Sequence, residues 1–135
     1  MTYVVNEAKL PWPAETLDMS ALVFKKGDVE VFLQRELSEE TVAARLERDL
    51  VRMRRSTMGF RTIAVESYDH PFPGGKAVKL RFDTDQGPRF EAHLRFHHRG
   101  TMFDLTVGAP ENLTEACVLT FETIARTLRV RVEEP

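Results

Sequence analysis

The sequence predicts an α+β fold, an antiparallel β-sheet with two main helices packed on one face. Three observations carry this. Ala21-Leu22-Val23-Phe24 and Val29-Glu30-Val31-Phe32-Leu33 are short apolar runs on either side of Lys26-Gly27-Asp28, as in a hairpin. Residues 77–82 and 90–96 alternate apolar and charged side chains, the period of a half-buried strand. Val42, Leu46, Leu50 and Met53, and later Cys117, Phe121, Ile124 and Leu128, recur at three- and four-residue steps that only a helix gathers on one side. Strands, a helix, several strands and a second helix form a segregated order, unlike the strict alternation of βαβ units.

Each element follows in turn. Residues 2–5 make a short strand. Leu10-Pro11-Trp12-Pro13 is a loop, because each proline lacks the amide hydrogen that a central strand or helix interior uses. It lays Trp12 on the surface or against a neighbour. Residues 21–25 and 29–35 form the first hairpin. Ser38 is expected to cap a helix over 39–57, with Glu39 and Glu40 in its first turn. Arg52, Arg54 and Arg55 lie near its end, where positive charge suits the dipole, and Gly59 closes it. Residues 60–67 are a strand, and 70–75 a turn-rich link. Residues 76–83 and 89–98 form a second hairpin around 84–88, and Arg99-Gly100 turns into a strand over 101–108. Asn112 is expected to cap the last helix with Glu115 at the capping-box position. The charged tail, 129–135, is expected to fray.

The chain has 135 residues, the size of one domain over 1–135, with 42% apolar and 30% charged residues, an ordinary globular composition. A net charge of −2 argues against a nucleic-acid partner bound through a basic surface. One cysteine allows no internal disulfide and no cysteine metal cluster. Residues 1–7 show neither a basic start nor a long apolar run, so the expected location is cytoplasmic, without membrane insertion.

Residue chemistry points away from catalysis. His93 and His97 lie four apart on a strand, roughly 13 Å, too far to share a metal. Glu91 and His93 lie roughly 7 Å apart on one face, with Arg95 beyond them, and the simplest reading is a solvated strand face of mixed charge. Cys117 sits on an apolar stripe and reads as a small hydrophobe. The arginines at 45, 48, 52, 54 and 55 are interleaved with Glu47 and Asp49, as on a solvated helix face. No catalytic, metal or cofactor site is expected.

The first hairpin is unusual in being apolar on both faces. Simple alternation places Leu22, Phe24, Val29, Val31 and Leu33 on one face and Ala21, Val23 and Phe32 on the other. Helices cover one face of such a sheet, so a second apolar face calls for another cover, and a partner protein is the natural candidate.

Glu7, Leu10, Pro13, Asp18, Ser20 and Phe24 fall at spacings that resemble the Eag chaperones of type VI secretion, in the DcrB-like family. Arg35, Gly59-Phe60, residues 75–82 and residues 121–128 extend the similarity along the chain. Thr16 stands where the family usually has tryptophan, and Ala21 where it usually has a branched residue. The resemblance implies a PsbP-like fold and a cytoplasmic, homodimeric adaptor that needs no cofactor. Such an adaptor holds the apolar, transmembrane-like N-terminal helices of a secreted effector until it is loaded on the secretion spike. The implied effector-binding residues are Ala21, Val23 and Phe32, with Gln34 beside Phe32 supplying polar contacts. The rival expectation is a small-ligand-binding domain or enzyme using the Glu91, His93 and Arg95 face.

Overall fold

Turn chemistry sets the order of the strands. Arg99 and Gly100 both have positive φ, 49° and 78°, the pairing required by a two-residue type I′ hairpin. They join two long strands whose ends, His98 and Thr101, are cross-strand partners. At the preceding hairpin Thr84 pairs with Gly87, so the turn is tighter than the sequence suggests. Thr84 Oγ1 donates to the Gly87 carbonyl at 2.7 Å and accepts from the Gln86 amide at 3.2 Å.

The computed structural model describes residues 4–5 and 21–130; of residues 4–5, 21–24, 26, 129 and 130 it describes the backbone. The elements in chain order are β1 (Val4–Val5), β2 (Ala21–Lys26), β3 (Val29–Leu37), α1 (Val42–Ser56), β4 (Arg61–Ser67), β5 (Lys76–Thr84), β6 (Gly87–His98), β7 (Thr101–Pro110), α2 (Thr114–Thr127) and β8 (Arg129–Val130). Six strands form one antiparallel sheet in the order β2-β3-β7-β6-β5-β4. Val4–Val5 and Arg129–Val130 form a separate parallel pair, so the first two residues of the expected frayed tail are tied down. The loop around Trp12 lies outside the described residues.

The α+β class and the antiparallel sheet agree with the sequence. The placement of both helices on one face does not. α2 packs Cys117, Phe121 and Ile124, with Leu128 just past its end, on Leu94, Phe96, Phe103, Leu105 and Val107. α1 lies on the other face, where Leu46 packs with Val78 and Leu80. The period-2 alternation of β5 and β6 settles this. Phe96 belongs to the α2 core, while its neighbour Arg95 points the other way and bonds Asp49 of α1.

Both expected caps move. The Ser38 amide donates to the Gly100 carbonyl at 2.9 Å, tying this residue to the turn before β7. The helix therefore starts later, and Thr41 Oγ1 accepts the capping bond from the Ala44 amide at 3.1 Å. Before α2, residues Glu111–Leu113 form a 3₁₀ turn in place of an Asn112 cap, and Thr114 Oγ1 donates to the Glu111 carbonyl at 2.7 Å. No helix among the described residues is long and apolar enough to cross a membrane.

Candidate functional site

α1 packs on β5 through Leu46 against Val78 and Leu80, and reaches β6 and β3 through the ion pairs of Asp49 with Arg95 and of Arg45 with Glu36. Beyond Leu46, the same face on β6, β7 and β3 is crossed by rows of cross-strand neighbours. Glu91, Gly108 and Glu30 make one row; His93, Thr106 and Phe32 the next; then Arg95, Asp104 and Gln34; then His97, Met102 and Glu36. The two regions that the sequence left as rivals, Phe32–Gln34 and Glu91–Arg95, are therefore parts of one surface.

Its floor is a chain of charge-assisted hydrogen bonds. Arg95 Nη1 donates to Asp49 Oδ2 at 2.6 Å, and Nη2 to Asp104 Oδ2 at 2.8 Å. His93 Nδ1 contacts Asp104 Oδ1 at 3.1 Å, and its Nε2 lies 2.9 Å from Glu91 Oε1. Thr106 Oγ1 donates to Asp104 Oδ1 at 3.0 Å. Arg89 donates to Glu91 at 2.8 Å and reaches Glu30 at 3.3 Å. A Cβ on Gly108 would run into the Arg89 guanidinium, so the bare glycine makes room for that arginine to lie across β7. On the helix side Arg45 pairs with Glu36 and with Asp49, and Arg52 donates to Asp49 at 3.0 Å.

Burial opposes charge in this network, and pairing overrides it. Burial alone would lower the pKa of His93, but Asp104 and Glu91 lift it from 6.5 to about 10. Burial would raise Asp104, yet His93 and Arg95 hold it well below the usual carboxylate range. Glu91 is also lowered, with burial opposed by His93 and Arg89. The imidazolium donates from both ring nitrogens, which leaves no lone pair to take a proton from a substrate. The expected solvated strand face is thus a mostly buried network, with the His93 side chain only 16% exposed and Asp104 10%. Asp104 has no reading from the sequence, and Asp49, expected on a solvated helix face, is buried. The available signal was a lone aspartate inside the apolar run 102–107, since a buried carboxylate needs partners.

Between α1 and this floor lies a cavity of about 430 Å³. Arg45, Asp49, Arg95 and Asp104 form its polar wall, Met53 and Met102 contribute apolar surface, and Gln34 sits at its border. Gln34 is exposed and Phe32 half-buried. The backbone register sets Leu22 opposite Phe32 and Ala21 opposite Leu33, with a bulge between Leu22 and Phe24. Unbroken alternation had grouped Ala21 and Val23 with Phe32; the bulge interrupts that alternation, and the side chains of Ala21 and Val23 lie outside those described.

Among the described residues no cluster of three His, Cys, Asp or Glu side chains is arranged to hold a metal. Cys117 is fully buried on the opposite face, where its thiol donates to the Val107 carbonyl and burial pushes its pKa up to about 12.

No family model and no curated protein matches the chain. Solved structures do. A Pseudomonas aeruginosa protein of unknown function, PA94, is similar at a TM-score of 0.67 and 11% identity, over 79% of this chain and 74% of that one. Cyanobacterial PsbP (CyanoP) from Synechocystis gives 0.57 at 12% identity, over 76% and 67%. LpqN of Mycobacterium tuberculosis, involved in cell envelope biogenesis, gives 0.51 at 11% identity, over 73% and 59%. At these identities the likeness concerns the fold, and the chain has a PsbP-like fold.

Proposed function

We propose that this protein is a non-enzymatic adaptor of the DcrB-like, Eag chaperone type, and that the sheet face bearing Phe32 and Gln34 holds an apolar segment of another protein. The client is a type VI secretion effector with transmembrane-like N-terminal helices, held until loading on the secretion spike. The adaptor works as a cytoplasmic homodimer and needs neither cofactor nor nucleic acid.

The observation that carries this reading is the pairing of a half-buried aromatic with an exposed amide on the part of the face that α1 leaves open. An apolar helix of about 20 residues needs cover in water. Phe32 and Met53, both partly exposed, supply apolar surface, and methionine adapts to varied shapes. Gln34 offers both a donor and an acceptor. The floor beneath is charged, but its charges are paired with one another, so an apolar occupant strands no lone ion.

A tagged pull-down from the source cells, read by mass spectrometry, tests the reading with Phe32→Gln/Gln34→Ala run beside the wild type. One stoichiometric protein with apolar N-terminal helices, lost in the double variant, supports it. Retention by the variant removes this surface from the account, and the absence of any stoichiometric partner removes the adaptor.

A small polar ligand is the second reading, favoured by the cavity beside His93 and Arg95. It predicts a small molecule that co-purifies with the wild type and is lost on Arg95→Met. Proton-transfer chemistry there has little support, because both nitrogens of His93 are engaged.

A further inference from the structure

The far edge of the sheet carries a second set of features that the proposed client face does not use. β4 ends the strand order, so half of its backbone amides and carbonyls face away from β5 with no strand beside them among the described residues. A bulge between Thr62 and Ala64 disturbs its start, which leaves residues 64–67 as the regular edge. Ile63 and Val65 are 53% and 47% exposed.

The two faces of this edge differ. Toward α1 runs a groove of about 330 Å³, lined by Leu46, Leu50, Val51 and Val65 together with Glu47, Arg54 and Lys76. On the opposite face Arg61 and Lys79 follow the register of Arg81 and Ala77, toward the α2 side. Neither pairs with a carboxylate among the described residues; Glu66 of β4 shares their face, and Asp83 and Glu111 are held by Arg81.

We infer that β4 is a docking edge for an extended, acidic segment of a partner protein, which adds to the sheet as a seventh strand. An added strand presents alternate side chains to opposite faces. A segment that alternates apolar and acidic residues matches both sides at once: apolar groups fill the groove under α1, and carboxylates meet Arg61 and Lys79. The backbone supplies the hydrogen bonds, and the alternation supplies the selectivity. The site lies at the opposite edge of the sheet from β2, so it stands or falls independently of the client face.

The test is an amide chemical-shift titration of the full chain with a blocked hexapeptide of alternating valine and aspartate. A valine–lysine peptide of equal length serves as control. The inference predicts saturable shifts at residues 64–67 and along the groove face of α1, with a Kd below about 1 mM for the acidic peptide. The basic peptide binds at least tenfold more weakly, Val65→Asp loses the acidic peptide, and Arg61→Glu/Lys79→Glu inverts the preference. These positions are at the surface, and an unchanged melting temperature shows that each variant folds. Absence of saturable shifts, equal binding of both peptides, or shifts confined to β2 or the cavity beside His93 overturns the inference. Concentration-dependent self-association that shifts the same β4 amides without peptide also overturns it, by making a second copy the occupant.

Discussion

Arg95 of β6 donates to Asp49 of α1 at 2.6 Å, a direct bond from the open face of the sheet to the helix that borders it. The same guanidinium holds Asp104, so one side chain fixes the helix and the cavity floor together. Removing one partner of a buried ion pair leaves the others uncompensated and costs about 3–5 kcal/mol. Arg95→Met is therefore expected to lose stability on that scale in urea unfolding. Arg95→Met/Asp49→Leu should recover part of the loss, because it removes both charges. A double variant less stable than the sum of the singles contradicts the pairing.

The network also sets a pH dependence. The folded pKa of His93, about 10, exceeds its ordinary 6.5, so folding favours the protonated ring. Its contribution is complete below pH 6.5 and is lost as pH rises toward 10. Asp104 has the opposite sign: its contribution holds above the usual carboxylate range and is lost as pH falls through its depressed value. Unfolding free energies measured from pH 6 to 10 should decline in the wild type and flatten in His93→Gln. A slope that survives the substitution assigns it to other groups.

Thr62 Oγ1 is buried with no hydrogen-bond partner among the described residues. An unsatisfied buried hydroxyl costs roughly 1–3 kcal/mol. Thr62→Val keeps the shape and the β-branch, and is expected to raise stability by about 1 kcal/mol. Loss of stability would mean that the hydroxyl has a partner in solution.

Two glycines are close-packed for different reasons. A Cβ on Gly75 would strike the Tyr68 carbonyl, which is backbone, whereas one on Gly108 would strike the Arg89 guanidinium, the far end of a flexible side chain. Gly75→Ala should cost about 1–3 kcal/mol, as overpacking does, and Gly108→Ala less. Thermal melts of the two variants order them directly, and the reverse order contradicts this packing.

Cys117 provides a check on the α2 face. Burial and a pKa near 12 keep its thiol protonated at neutral pH. Ellman's reagent should modify it only on unfolding, at a rate that follows the unfolded fraction. Rapid labelling of the native protein contradicts the packing of α2.

Much of this fold is legible in the sequence, because strand alternation and helical stripes are local periodicities. Phe90, Ala92, Leu94 and Phe96 mark one face of β6 as plainly as Cys117, Phe121 and Ile124 mark α2. What the sequence does not carry is which face each helix takes. Alternation in β5 offers apolar residues on both sides, Ala77 to one core and Val78 and Leu80 to the other, and only the pairing decides. The site was half legible for the same reason. Phe32, Gln34, Glu91, His93 and Arg95 stood out as residues, yet Asp49 and Asp104, 55 positions apart in the chain, meet on Arg95 only once the sheet is assembled. The bulge in β2 depends on pairing as well, and it displaces the grouping of Ala21 and Val23 with Phe32.

The central claim is that the open face around Phe32 and Gln34 keeps an apolar helix in water. The most direct measurement is a sedimentation assay with a fluorescent 20-residue leucine–alanine peptide in detergent-free buffer. Wild-type protein should hold the peptide in the supernatant, saturating at a fixed ratio, while Phe32→Glu/Gln34→Ala leaves it in the pellet with an unchanged circular dichroism spectrum. A peptide that pellets with the wild type, or that stays soluble with the variant, contradicts the account.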